Sequence, residues 1–407
     1  MTTIELPWLA WLGDSHLSLE VPSSWEMTRC LMNDGPALDD RALATRIRAG
    51  LAAPEIRHRI SGQHTAAIAV DDITRPTPTH RLLPPILDEL AAAGIARECV
   101  RVVFASGCHR PASRADMVMK IGETLANELE TYVHNPYEGL THLGMTPRGI
   151  PVYTNRFFHE ADVKLAVGCA LPHEAGFSGG AKLIAIGLSG ITTVEALHYG
   201  DWDRTGSGIG KTEDNPLLSE FWEVAGVVGL DALINVIVNS ERDVAGLCVG
   251  QPQSAHREAV AMARQVYATP APRAADVVIL NAYPKDSDLI QATMALNVAY
   301  TFQPAIVKAG GTIVVTCACP EGAGIHFLDG FGMRKAARYD QEAFGDRHLI
   351  IFSPNLSEYD VQRMFPPGTI LYRRWPEVVQ ELERLHGSRP RVSVFPWASQ
   401  QLPFFTE

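Results

Sequence analysis

The sequence has no apolar stretch as long as the roughly 20 residues that a membrane-spanning helix needs. Its first residues, MTTIE, lack the basic stretch and the long apolar core of a signal peptide. Its seven cysteines are scattered, and an odd number in a chain of this size is typical of reduced thiols rather than of a disulfide framework. We therefore expect a cytoplasmic protein with no membrane partner.

Basic residues are too few for a nucleic-acid partner. The chain has 35 Lys and Arg against 46 Asp and Glu, a formal net charge of -11 at pH 7, whereas a nucleic-acid surface needs clustered positive charge. The close cysteine pair, Cys317 and Cys319, fits no common zinc spacing, and we expect it to pack on one face of a strand. The remaining composition, 46% hydrophobic and 20% charged, is that of an ordinary globular enzyme.

Strand and helix patterns alternate along the chain. Apolar runs at residues 65–70, 100–105 and 163–168 predict buried strands, and residues 81–93 and 114–129 predict helices. Near-continuous apolar strands separated by helices are typical of a mostly parallel sheet. We predict the α/β class, with two domains, each a mostly parallel sheet flanked by helices, and the active site in the cleft between them.

The length of 407 residues also favours two domains. A Pro-rich joint at residues 268–273 (ATPAPR) separates two runs of alternating strands and helices. We predict an N-terminal domain over residues 1–268 and a smaller C-terminal α/β domain over residues 274–395. The tail, residues 396–407, can return to the first domain.

Residues 172–198 hold an unusual set of reactive groups. A Pro-His-Glu turn carrying His173 precedes the glycine-rich step at residues 178–180 (SGG), a helix with Lys182 follows, and His198 comes sixteen residues after the lysine. Glycines allow backbone to approach a bulky ligand closely. A lysine near an apolar helix start can lose its proton and form covalent bonds, although an exposed helix lysine is the ordinary alternative.

Other polar groups follow strands at the edge where ligands of α/β sheets bind. Asp72 follows the strand at 65–70, and His109 follows the strand at 100–105. A single such histidine is more often structural, but His109 and His173 at comparable positions suit a pair of acid/base groups. Asp72 can also be read as a helix cap, and Thr74 and Arg75 can hold a phosphate or a carboxylate.

Five segments carry a resemblance to a known family. They are residues 71–78 (DDITRPTP), 106–110 (SGCHR), 167–198, 215–217 (NPL) and 281–284 (NAYP), with Gln291 after the last. With these segments in this order, the chain resembles the nickel-dependent lactate racemase family.

The resemblance implies a nickel-pincer mononucleotide, pyridinium-3-thioamide-5-thiocarboxylate mononucleotide nickel, covalently linked to Lys182. His198 matches the family's nickel ligand, and alone it would be a weak metal ligand because its helix offers no second one. Cofactor-biosynthesis enzymes are then transient partners. The expected cofactor-binding residues are Lys182, Asp72, Thr74, Ser178, Gly179 and Gly180.

The chain departs from the family where the lactate-specific enzymes carry Tyr-Gln-Ala-Val-Lys on a helix, predicted here over residues 288–302. The aligned residues here are IQATM, so Gln291 is kept while Ile290 and Met294 replace the tyrosine and the lysine. Lys285 is a candidate replacement charge, and Arg75 is expected to anchor the carboxylate. We therefore expect a 2-hydroxy acid larger than lactate.

The predicted function is racemisation or epimerisation of a 2-hydroxy acid by reversible hydride transfer, with His109 and His173 as the catalytic pair. A carrier of the nickel nucleotide would need Lys182 and His198 but neither of these histidines. An oxidoreductase or lyase of hydroxy acids with another cofactor is the other alternative. A dinucleotide-binding fingerprint is missing, and the loop at residues 206–212 (GSGIGKT) is one residue short of a phosphate loop.

Overall fold

The computed structural model describes residues 1–299, 304–328, 339, 342 and 344–405. The chain forms two compact units. The central unit is Asp34–Val266, and the terminal unit combines Met1–Asn33 with Tyr267–Glu407. The first 33 residues therefore group with the C-terminal part of the chain, which differs from the N-terminal domain expected over residues 1–268.

The N-terminal segment of the terminal unit contains three strands: β1 (Thr2–Trp8), β2 (Ser15–Val21) and β3 (Glu26–Arg29). Strands β1 and β2 form an antiparallel hairpin. In β2 the apolar side chains Leu19 and Val21 are buried while Glu20 is exposed, as the alternating sequence predicts.

The central unit alternates strands and helices. Its helices are α1 (Asp40–Leu51), α2 (Pro54–Ile60), α3 (Thr79–Ala92), α4 (Arg114–Ile121), α5 (Glu123–Glu128), α6 (Arg156–His159), α7 (Gly180–Ala185), α8 (Ile191–Tyr199), α9 (Pro216–Val228) and α10 (Pro252–Val266). Its strands are β4 (Ala66–Val70), β5 (Val100–Phe104), β6 (Glu130–Val133), β7 (Leu140–Met145), β8 (Pro151–Asn155), β9 (Val163–Cys169), β10 (Pro172–His173), β11 (Gly176–Phe177), β12 (Ala232–Val238) and β13 (Val244–Gly250).

Six of these strands form the main sheet of the central unit, in the order β13-β12-β9-β4-β5-β6. All neighbours in it are parallel except β12 and β13. Every residue of β4 and β12 is buried, which explains their continuous apolar sequences. Strand β4 lies between β5 and β9, so the loops that follow these three strands meet at one edge of the sheet.

The rest of the terminal unit restarts the alternation. Its strands are β14 (Ala268–Ala271), β15 (Ala275–Asn281), β16 (Val307–Thr316), β17 (His348–Phe352), β18 (Ile370–Tyr372), β19 (Arg391–Phe395) and β20 (Leu402–Phe405). Its helices are α11 (Leu289–Ala292), α12 (Glu358–Met364) and α13 (Trp375–His386).

The main sheet of the terminal unit, β18-β17-β16-β15-β19-β3, is parallel throughout. Along β15, Val277 and Ile279 pack on one side with the β1–β2 hairpin, whereas Val278 and Leu280 join the core on the other side. Strand β3 supplies one edge by pairing with β19. The α/β class with mostly parallel sheets is thus confirmed.

Several local expectations were wrong. The helix predicted over residues 114–129 is split at Gly122, whose φ of 83° no continuous helix allows. The Pro-rich joint contains β14, which pairs with β20, so that strand of the tail lies in the terminal unit. Cys317 and Cys319 are buried just beyond the end of β16 rather than within it.

The helix predicted over residues 288–302 begins at Leu289 as α11 and continues as a 3-10 helix over Thr293–Leu296. Residues 300–302 of that prediction lie outside the described residues. Throughout the described part of the chain, no helix is long and apolar enough to cross a membrane.

Candidate functional site

The polar groups predicted to share a sheet edge do lie beyond neighbouring strands of the central unit. Asp71 and Asp72 follow β4 directly, His109 lies five residues beyond β5, and His173 is on β10, which follows β9. The carboxyl edge of a parallel sheet is where ligands of α/β proteins bind. This edge is therefore the candidate site.

Asp72 and His109 form a close pair at this edge. The Asp72 Oδ2 atom lies 2.7 Å from His109 Nδ1, and Asp72 is only 5% exposed. Burial alone would raise the pKa of Asp72, but His109, Arg75 and the bond from Thr74 hold it well below its usual range. Because an ionised carboxylate only accepts, His109 carries its proton on Nδ1, and Nε2 is the acceptor of the neutral ring.

Thr74 and Arg75 extend this pair. The backbone N–H and the hydroxyl of Thr74 donate to Asp72 Oδ1 at 3.0 and 2.5 Å, and Arg75 Nη1 donates to Thr74 Oγ1 at 2.7 Å. Helix α3 starts only at Thr79, with Pro78 at its N-cap and no side-chain cap. The reading of Asp72 as a helix cap is therefore wrong.

Behind the pair lies Lys120, which the sequence reasoning missed. Its side chain is fully buried on α4, and its Nζ lies 2.6 Å from Asp71 Oδ1. It also donates to the carbonyls of Asp72 and Arg75, at 2.9 and 2.8 Å. Burial raises the pKa of Asp71 and lowers that of Lys120, while their mutual attraction opposes both shifts. In the sequence, the position of this lysine beside Ile121, on the apolar side of a predicted helix, could have indicated that it is buried.

The glycine-rich step before α7 is shaped by close packing. A Cβ atom on Gly179 would lie 2.4 Å from Asn235 Oδ1, and one on Gly180 would lie 2.6 Å from His256 Nδ1. Both glycines also have positive φ. The Ser178 hydroxyl donates to Cys169 O and accepts from Leu171 N. It therefore stabilises the turn, and the contact of residues 178–180 with a cofactor stays a prediction.

Lys182 follows this turn on α7 and is partly exposed. Desolvation by the surrounding protein, and secondarily the positive charge of Arg75, lower the pKa of its amine to about 7. An ordinary exposed helix lysine would keep its charge. At neutral pH a large fraction of Lys182 is instead a neutral amine, which is the nucleophilic form.

His173 and His198 have opposite proton positions. The backbone N–H of Ala175 donates to His173 Nδ1 at 3.2 Å, so the neutral ring carries its proton on Nε2. His198 Nδ1 lies 2.8 Å from Val194 O and donates to it, which leaves Nε2 with the lone pair. Histidines that bind a metal through one ring nitrogen are usually oriented by a hydrogen bond from the other ring nitrogen, often to a backbone carbonyl.

The end of α8, where His198 lies, is fixed by two residues that the sequence reasoning also missed. Arg204 donates to the carbonyls of His198 and Gly200, and Trp202 Nε1 donates to Ala196 O at 2.9 Å. The Arg204 guanidinium lies 4.7 Å from the Trp202 ring centroid. Cationic groups at a helix C-terminus satisfy its unpaired carbonyls.

A metal site made of protein ligands alone is not apparent in the described residues. Within those ranges, no group of three or more His, Cys, Asp or Glu side chains is placed to hold a metal ion.

The predicted substrate residues of the terminal unit lie after β15. Lys285 is 2% exposed, Gln291 is buried, and Met294 is partly buried. Ile290 belongs to the apolar core of the terminal unit. The four side chains share one segment, and their contact with substrate stays a prediction.

The fold and the site together define an α/β protein with a histidine–carboxylate pair and a low-pKa lysine at the carboxyl edge of a parallel sheet. Residues 12–210 match the family model described as the lactate racemase N-terminal domain. The chain is 28% identical over 294 residues to a lactate racemase of Lactiplantibacillus plantarum, covering 71% of this chain and 67% of that one.

A lactate racemase of Thermoanaerobacterium thermosaccharolyticum is 27% identical over 334 residues, which cover 80% of this chain and 76% of the relative. Over most of its length the chain is thus similar to lactate racemases. The fold is also that of the lactate racemase apoprotein from T. thermosaccharolyticum, with a TM-score of 0.78 at 22% identity over the whole of both chains. A Thermotoga maritima protein has a TM-score of 0.68 at 16% identity, covering 92% of this chain and all of that one.

Proposed function

We propose that this protein is a racemase or epimerase of a 2-hydroxy acid and uses a nickel-pincer nucleotide linked to Lys182. The observation that carries the proposal is the pair of histidines beyond β5 and β9, the two strands that flank β4, whose rings hold their protons on opposite nitrogens. A racemase needs one group that takes a proton and one that gives it, on the two faces of a single carbon centre. Similarity to lactate racemases supports the reaction class.

The residues fit the proposed cofactor. A lysine with a pKa of about 7 is a suitable attachment point, because its amine is largely neutral in a cell. His198, oriented by Val194 O, would supply one nitrogen ligand to nickel. The positive-φ turn at Gly179 packs against the Asn235 side chain, which leaves no room for a side chain at this position of the turn before Lys182. When bound, the nucleotide would supply an acceptor and donor of hydride for carbon 2 of the substrate.

The two histidines then divide the proton transfers. His109, held by ionised Asp72, offers Nε2 as the base for the substrate hydroxyl. His173 offers Nε2–H as the acid for the opposite enantiomer. In the reverse reaction their roles exchange, as a racemase requires. Arg75, fixed by Thr74, would hold the substrate carboxylate through charge-assisted hydrogen bonds.

We further propose that lactate is not the preferred substrate. Met294 is apolar where the family's lactate enzymes carry a lysine, and Lys285 is the nearby residue that can supply the charge instead. Ile290 lies in the core, so the substitution that bears directly on the substrate is Met294. Methionine adapts its shape to larger apolar groups. We expect the protein to act in the cytoplasm.

The proposal is tested on protein produced together with the cofactor's biosynthetic enzymes. We expect an intact-mass adduct, bound nickel and loss of circular dichroism from an enantiopure 2-hydroxy acid. In D₂O the hydrogen on carbon 2 should be largely retained, and complete exchange would contradict hydride transfer. An adduct without turnover of lactate, malate, 2-hydroxybutyrate, phenyllactate or sugar acids would indicate a carrier instead. Highest kcat/KM on lactate would overturn the substrate argument alone.

A further inference from the structure

Three contacts of Lys120 end on one loop, residues 71–75. Its ammonium group lies 2.6 Å from Asp71 Oδ1 and donates to the backbone carbonyls of Asp72 and Arg75. The side chain is 0% exposed. Two of these contacts are hydrogen bonds to backbone carbonyls, and the third is an ion pair with the Asp71 carboxylate.

The loop that Lys120 holds, residues 71–75, carries the groups that orient His109. Asp72 reaches His109 Nδ1 through its side chain, while its own carbonyl is bound by Lys120. The Arg75 guanidinium donates to the Thr74 hydroxyl, and the Arg75 carbonyl accepts from the same ammonium group of Lys120. Both ends of the loop are therefore fixed by one cation.

We propose that Lys120 is a positioning residue: its bonds to the Asp72 and Arg75 carbonyls keep Asp72 against His109 Nδ1 and so fix which ring nitrogen of His109 acts as the base. A carboxylate that moves away from Nδ1 releases the ring to the other tautomer, in which Nε2 carries a proton and cannot accept one. The contacts of Lys120 and the tautomer of His109 can be tested without the proposed function. Only the measurement of racemisation rests on that function.

The competing explanation is a merely structural ion pair between Lys120 and Asp71. The two are separable because two of the three bonds do not involve Asp71. Removing Lys120 alone would leave a buried carboxylate without its cation, which is strongly destabilising. One informative variant is the double variant Lys120→Met with Asp71→Asn, which contains no buried charge at either position. The other is Asp71→Asn, because burial already lowers the pKa of Lys120 and a neutral amine keeps two N–H donors for the Asp72 and Arg75 carbonyls.

The experiment measures the tautomer of His109 by ¹⁵N NMR of histidine-labelled protein without cofactor, at a pH where the ring is neutral. His109→Gln assigns the signal, and Lys164→Met is the matched control, because Lys164 donates to a single carbonyl, that of Ala161. We expect Nδ1–H in the wild type, in Lys164→Met and in Asp71→Asn. In the double variant we expect a substantial shift to Nε2–H.

In cofactor-loaded protein the double variant should also lose at least about tenfold in kcat, with a smaller change in KM. A folded double variant that keeps Nδ1–H and full kcat would overturn the proposal. If the double variant does not fold, Asp71→Asn still decides: loss of Nδ1–H there would mean that the ion pair, not the carbonyl bonds, holds the loop. Absence of racemisation in the wild type would instead count against the proposed function.

Discussion

The two units present carboxylates at the same edge of similar parallel sheets but use them differently. In the central unit, Asp72 follows β4 and binds the ring of His109. In the terminal unit, Asp286 follows β15 and accepts hydrogen bonds from the backbone N–H groups of Leu9 and Ala10, at 2.8 and 3.1 Å. Asp288 accepts from the backbone N–H of Gln291.

This difference shows that burial of a carboxylate beyond a strand does not identify a catalytic group. What distinguishes Asp72 is its partner, a side chain that can exchange protons. Asp286 accepts from two backbone amides, and Asp288 accepts from a backbone amide and from the Ser287 hydroxyl, so these bonds shape loops. The proposed chemistry therefore rests on side chains of the central unit, and a role of Met294 in substrate selection stays a prediction.

The largest expected effect is loss of the cofactor. Lys182→Ala removes the amine with a pKa of about 7, so protein matured with the biosynthetic enzymes should show no mass adduct and no detectable racemisation. Lys308→Ala, a change at an exposed lysine of the terminal unit, serves as the control and should keep both. An undiminished adduct in Lys182→Ala would remove this residue from the proposed mechanism.

Loss of either histidine comes next. His109→Gln or His173→Gln should lower kcat by roughly 10²–10⁴, since positioned acid/base groups contribute about that much, while the mass adduct is retained. Initial rates from both enantiomers are the measurement. His142→Gln is the control, because His142 stacks on Tyr153 away from the pair. Wild-type rates in either site variant would exclude that histidine.

The comparison between the units is tested directly by Asp72→Asn against Asp286→Asn. Asparagine at 72 would disturb the His109 proton position, and we expect kcat to fall about 100-fold with a smaller change in stability. Asparagine at 286 would face two amide donors with a donor of its own, costing about 1–3 kcal/mol of unfolding free energy. Urea unfolding and kcat are measured for both. Equal effects of the two changes on kcat would break the distinction.

The smallest effect concerns pH. Because the pKa of Lys182 is lowered to about 7 from its usual 10.5, the rate of adduct formation should rise between about pH 6 and 8 and then level off. The unfolded chain binds this proton more tightly, so Lys182 should make stability increase as pH rises from about 7 towards 10.5. Lys182→Met should flatten that slope. A rate that keeps rising to pH 10 would indicate an ordinary lysine.

Strand positions were predictable because buried parallel strands leave continuous apolar runs, and the groups after β4, β5 and β9 could be placed from them. Three features were not predictable from the sequence. Lys120 joins its loop only after folding, since its partners Asp71 and Arg75 are far from it in sequence. The short strand β14 looked like a linker because of its prolines.

Strand β3 was the third feature. Its residues, EMTR, have no apolar run, and they form a strand only because β19 supplies a parallel partner. The ring nitrogen that carries the proton of each histidine was equally unpredictable, because it depends on a neighbour that the fold supplies. This neighbour is Asp72 for His109 and Ala175 for His173.

The pairing of β3 with β19 has a consequence for synthesis on the ribosome. The central unit is one uninterrupted stretch, Asp34–Val266, and can reach its native contacts while later residues are still being added. Strand β3 is made before it, yet its partner β19 emerges more than three hundred residues later. The edge strand β3 therefore remains unpaired through most of translation. Its charged residues Glu26 and Arg29 disfavour pairing with other nascent chains during this time.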